Sequence, residues 1–159
     1  MITLFYRLCD RVETVLKIVG TILFCIMIFA VSYEIVMRYV FNAPTFWSEA
    51  LARYSMIWIV TLGLAVGIRQ CQNIHVDFVA RQVPPALKTI FAWMRFLAVL
   101  GFAGVLLVYG TQHSIANLGQ TVTGLEVSAF YVYLCVPISG AAMILFILEL
   151  IVKGERGLF

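Results

Sequence analysis

Long apolar runs alternate with short polar segments along the chain. Ile18 to Met37 reads IVGTILFCIMIFAVSYEIVM and is free of charge as far as Tyr33. Tyr54 to Ile68 is a shorter run, which the residues from Phe46 onward extend as helix, giving a span over about 48–68. Thr89 to Gly110 is interrupted only by Arg95 and extends to about residue 112. Val127 to Val152 is long enough to tilt or protrude. A bilayer core of about 30 Å takes about 20 residues of helix, and unpaired backbone in lipid is too costly for any open alternative. The pattern predicts an all-α integral membrane protein, a single membrane domain over residues 1–159 with spans near 18–37, 48–68, 89–112 and 127–152.

The segments between the runs are also patterned. In residues 1–17, Phe5, Leu8, Val12 and Val15 or Leu16 recur at helical spacing, with Arg7, Asp10, Arg11, Glu13 and Lys17 mostly elsewhere. This is either an amphipathic helix on the anionic inner leaflet, held by membrane lipids, or a continuation of the first span. Residues 72–84 mix Ile74, Val76, Phe78, Val79 and Val83 with polar residues and read as a second interfacial segment, ended by Pro84-Pro85. The first run exceeds a signal-peptide core of about 7–15 residues, and it is read as retained.

Composition agrees. Of 159 residues, 63% are hydrophobic and 12% charged, against about 45–50% and about 25% in soluble domains. A formal net charge of +3 is too small to point to nucleic acid. The placement of the bases is more telling. Arg7, Arg11, Lys17, Arg69, Arg81, Lys88, Arg95, Lys153 and Arg156 fall on one side of the predicted membrane, and Arg38 and Arg53 on the other. By the positive-inside rule both termini are cytoplasmic and the His113–Glu126 loop is outside.

Candidate chemistry is sparse. Glu13–Lys17, Glu34–Arg38, Glu49–Arg53, Asp77–Arg81 and Glu149–Lys153 are spaced i,i+4 with the acid first, the favourable helical order. Glu34 is either structural or a proton or ion site. Arg95 either snorkels to the inner headgroups or meets an acid on another helix or subunit. His75 and His113 fall about a membrane thickness apart, so one haem cannot take both. The outer loops hold no Cys, which disfavours disulfide-generating redox chemistry. No metal, cofactor or catalytic constellation is predicted. Gly63 and Gly67 form a G-x-x-x-G and Gly101 and Gly104 notch the third span, as helix-packing surfaces do. Pro137 is positioned to kink the fourth span.

The stretch RYVFNAPTFWSEALARYSMIWIVTLGLAVGIRQCQNIHVD carries a resemblance. Arg38, Trp47-Ser48-Glu49, Ala52-Arg53-Tyr54, Trp58, Gly63, Arg69 and His75-Val76-Asp77 resemble the pattern of the small membrane subunit of tripartite ATP-independent periplasmic (TRAP) transporters. Ala50 and Ser128 depart from it, where a second Glu and a Pro are frequent. The resemblance implies a non-catalytic scaffold in the bacterial inner membrane, in its separate form and not fused. Its partners would be a large transport subunit, which holds the substrate and sodium sites, and a periplasmic substrate-binding protein that delivers an organic acid. No substrate-binding residue is expected in this chain. Arg38, Trp47, Glu49, Arg53, Tyr54, Trp58, Gly63, Gly67, Arg69, His75, Asp77 and Arg95 are the candidates for its motif and partner interface. The alternative is a self-sufficient proton-coupled multidrug antiporter using Glu34.

Overall fold

The computed structural model describes residues 2–70 and 85–153, with side chains over 3–70, 93, 94 and 96–151. Its helices are α1 (Ile2–Tyr39), α2 (Phe46–Gln70), α3 (Pro85–Ala116), α4 (Ala129–Tyr133) and α5 (Cys135–Lys153). Among the described residues, four helical segments are long and apolar enough to cross a membrane, the last combining α4 and α5. The protein is a multi-pass membrane protein.

Local chemistry explains where the helices stop. α1 runs without a break from Ile2, so the amphipathic N-terminal residues continue the span as one helix of 38 residues. It ends where Asn42 turns left-handed at φ 50° and the Ala43 amide donates to the Met37 carbonyl at 3.0 Å. Pro44 then prevents further helix. Thr45 opens α2, its hydroxyl 2.6 Å from that of Ser48, while Glu49 in the first turn complements the helix dipole. Pro85 occupies the first position of α3, where a missing N–H costs nothing.

Residues 127–152 do not form one continuous helix. The helix is interrupted at Leu134, between α4 and α5, although Leu134 itself keeps helical angles (φ −60°, ψ −22°). Pro137 accounts for the break, because its ring excludes the i−4 bond to the Tyr133 carbonyl. Ser128 caps α4 by accepting from the Phe130 amide, and a short bridge between Thr121 and Ser128 closes the preceding loop.

In space the helices follow the order α1, α2, α5, α3, and α1 also reaches α5. The core gathers on α5, where Met143, Phe146 and Ile147 are buried against Leu62, Ala65 and Val66 of α2, Ala103 of α3, and Cys9 and Leu16 of α1. Between apolar helices in lipid, close packing replaces the hydrophobic effect as the holding force. Gly140 and Gly110 provide the closeness. A Cβ on Gly140 would lie 2.9 Å from the Leu107 amide nitrogen, and one on Gly110 would lie 2.8 Å from the Val136 side chain. The G-x-x-x-G of α2 is placed differently: a Cβ on Gly63 or Gly67, and equally on Gly101 or Gly104, would meet nothing within 4 Å.

Candidate functional site

Among the described residues, the ion-paired side chains form two groups, one toward each end of the helices. The first centres on Arg69, in the last turn of α2. Its Nε donates to Glu149 Oε2 at 2.8 Å and its Nη2 to Glu149 Oε1 at 2.9 Å, a two-pronged grip on one carboxylate. Nη2 also donates to Asp10 Oδ1 at 2.5 Å, and Nη1 to Glu13 Oε2. Gln70 donates to the other oxygen of Glu13 at 3.3 Å, which Lys17 also approaches to 2.5 Å. One guanidinium thereby ties α1, α2 and α5 together.

This group is sheltered. The Glu149 side chain is 2% exposed and that of Arg69 10%. The guanidinium carbon lies 5.3 Å from the ring centroid of Phe146, close enough for cation–π attraction. Cys9 is buried beside the same carboxylate. A planar fork of five donors suits this place, because a Lys ammonium cannot grip one carboxylate in parallel while reaching two more.

At the opposite end, Arg38 Nη2 donates to Glu34 Oε1 at 2.6 Å on α1, and Arg53 Nη2 to Glu49 Oε1 at 2.6 Å on α2. The second pair is open, with side chains 51% (Glu49) and 64% (Arg53) exposed. The ring of Trp47 lies against that of Tyr33, centroids 5.4 Å apart, which fixes the level of α2 against α1. Tyr54 packs against a small cluster of Val122, Ala129 and Val132. Trp58 packs against the main core. Gly124, left-handed at φ 100°, rests over Phe46 and Ala50.

Among the candidates, Arg69 is the hub, Arg38 and Arg53 sit in local ion pairs, and Trp47, Tyr54 and Trp58 are packing residues. Gly63 and Gly67 face open space. His75 and Asp77 lie outside the described residues, as does the Asp77–Arg81 pairing. The backbone of Arg95 belongs to α3, but its side chain is outside the described set. The local partner expected for Glu149, Lys153, also has a side chain outside it, and the Glu149 carboxylate is gripped from another helix by Arg69. His113 lies edge-on to Tyr133, ring centroids 4.6 Å apart, beside a shallow apolar groove between α3 and the α4–α5 segment. Sequence reasoning missed the meeting of Asp10, Glu13, Glu149 and Arg69. The available signal was that Arg69 has no acid three or four positions away.

The model of the DctQ component of tripartite ATP-independent periplasmic transporters matches residues 27–157. The chain belongs to this family. The sialic acid TRAP transporter small permease protein SiaQ of Vibrio cholerae is 24% identical over 133 residues, 84% of this chain and 77% of that protein. The C4-dicarboxylate TRAP transporter small permease protein DctQ of Pseudomonas aeruginosa is 26% identical over 115 residues, 69% of this chain and 55% of the relative. The sialic acid TRAP transporter permease protein SiaT of Haemophilus influenzae is 31% identical over 55 residues, 35% of this chain and 9% of its own length. This DctQ-family chain is thus a transporter component and not an enzyme.

Proposed function

We propose that this DctQ-family chain is the stationary small subunit of a binding-protein-dependent uptake system for an organic acid. It enlarges and braces a larger membrane subunit, which holds the substrate and sodium sites, while a periplasmic binding protein delivers the substrate. It lies in the bacterial inner membrane, with both termini and the Arg69 hub on the cytoplasmic side. What carries the reading is the state of the carboxylates in the helices. Glu34 is occupied by Arg38, Glu49 by Arg53 and Glu149 by Arg69. Each acid is spent on holding a base, as in a brace, whereas an exchange carboxylate has to release its partner in every cycle. Family membership supports the same reading, and sialic acid and C4-dicarboxylates, named in the relatives, are both organic acids. The reading is tested by affinity purification of the tagged chain from native membranes in mild detergent. It predicts a much larger multi-span protein at near-equal stoichiometry. Recovery of this chain alone from membranes that contain the large subunit contradicts it.

A further inference from the structure

One stripe of α1 is apolar, exposed and interrupted by a charge. Leu4, Leu8, Arg11, Val15, Ile18 and Ile22 follow one another at alternating steps of four and three residues, which keeps them on one face of a helix. All six are exposed, and so is Arg7, one turn before Arg11. The stripe belongs to a helix long and apolar enough to cross a membrane, so its aliphatic side chains suit lipid acyl chains.

The two arginines differ from the other described bases of the ion-pair groups. Lys17, Arg38, Arg53 and Arg69 each hold a carboxylate. Arg7 and Arg11 are in no ion pair among the described residues. The acids beside them on α1, Asp10 and Glu13, are turned to Arg69. Two successive turns therefore present two guanidinium forks next to aliphatic side chains. Such a fork matches the oxygens of a phosphate in pairs. A soluble phosphate would satisfy the arginines alone. A phospholipid joins its phosphate to acyl chains, and so matches both halves of this surface. Val15, Ile18 and Ile22 lie about one to three turns from Arg11, and the arginine stems can reach along the helix toward a headgroup. Two uncompensated positive charges favour a headgroup of net negative charge over a zwitterionic one.

We infer that Arg7 and Arg11 form a headgroup site for an anionic phospholipid, whose acyl chains lie along Val15, Ile18 and Ile22. Because α1 is one continuous helix, the lipid stands alongside the span. The site uses this chain alone, so it is independent of the subunit reading above.

Native mass spectrometry of the full chain, released from mixed micelles doped with equal amounts of phosphatidylglycerol and phosphatidylcholine, tests it. The unmodified chain is expected to retain phosphatidylglycerol over phosphatidylcholine by about ten-fold, the order set by two basic side chains at an anionic surface. Arg7→Gln combined with Arg11→Gln should abolish the preference. Both side chains are exposed, and an unchanged circular dichroism spectrum checks that the variant is folded. Arg53→Gln, which removes an exposed base elsewhere, should leave the preference intact. A large excess of soluble glycerol 3-phosphate should not displace the lipid. Equal retention of the two lipids by the unmodified chain overturns the site, as does a preference that survives in the double variant. An equal loss in Arg53→Gln shows general charge attraction and also overturns it. Displacement by glycerol 3-phosphate overturns the lipid assignment in favour of a soluble phosphate.

Discussion

Arg69 and Glu149, 80 positions apart in the chain, join α2 to α5 through two parallel hydrogen bonds of 2.8 and 2.9 Å. The pair is almost closed to solvent, so its members depend on each other. Removing one member of a buried pair strands the other charge and costs about 3–5 kcal/mol, whereas replacing both with apolar residues of similar volume is often neutral or stabilising. Arg69→Ala and Glu149→Ala should each destabilise the purified protein on that scale, read as a fall in the midpoint of detergent-phase unfolding. Arg69→Met combined with Glu149→Met should cost less than the two single losses together. Arg69→Lys should restore only part of the loss, because an ammonium cannot grip the carboxylate in parallel.

The contact between α3 and α5 depends on two missing side chains. A Cβ at Gly140 would press on backbone atoms of Leu107 and Ala103 at 2.9 and 3.1 Å, and backbone cannot swing aside. Gly140→Ala should therefore destabilise by about 1–3 kcal/mol, the range for overpacking. Gly101→Ala, whose Cβ would meet open space, should be neutral to slightly stabilising through helix propensity. Parallel unfolding curves of the two variants check this.

The Glu49–Arg53 pair should behave differently in isolation and in the complex. An exposed i,i+4 pair contributes about 0.3–0.5 kcal/mol, so Arg53→Ala should barely change the stability of the isolated chain. Within the complex the same change should lower the yield of assembled transporter several-fold, with Glu49→Ala similar and the double variant less harmful than the two losses combined. Unfolding of the isolated chain and recovery of the tagged complex separate the two contributions.

Orientation is open to labelling. In a background without the native cysteines, a membrane-impermeant thiol reagent added outside should modify Gln120→Cys in the α3–α4 loop and spare Arg11→Cys near the start of α1. Both positions are exposed in the fold, so access depends on the side of the membrane. The reverse pattern would invert the proposed topology.

Much of the fold is legible in the sequence because lipid simplifies it. An apolar run of sufficient length has to be helix, and Pro44, Pro85 and Pro137 fall at helix boundaries for the local reason that each lacks an N–H. The pairs Glu13–Lys17, Glu34–Arg38 and Glu49–Arg53 form as their spacing anticipates, since one turn of helix brings them together. The Arg69 hub is not legible in that way. Its acids come from α1 and α5, and only the arrangement of three helices brings them to one guanidinium. Glycine motifs mislead for a related reason. Gly63 and Gly67 have the recognised spacing, yet a Cβ on either would meet nothing within 4 Å, while among the described glycines Gly110 and Gly140 leave a Cβ the least room.

The most direct test of the account is uptake in proteoliposomes. This chain should be reconstituted alone, and then together with the large subunit, with an inward sodium gradient and a substrate-loaded binding protein present in both cases. Labelled sialic acid and a labelled C4-dicarboxylate are the first substrates to try. The account predicts no accumulation with this chain alone and accumulation of an organic acid only when the large subunit and the binding protein are both present. Gradient-driven accumulation by this chain without the large subunit would contradict it.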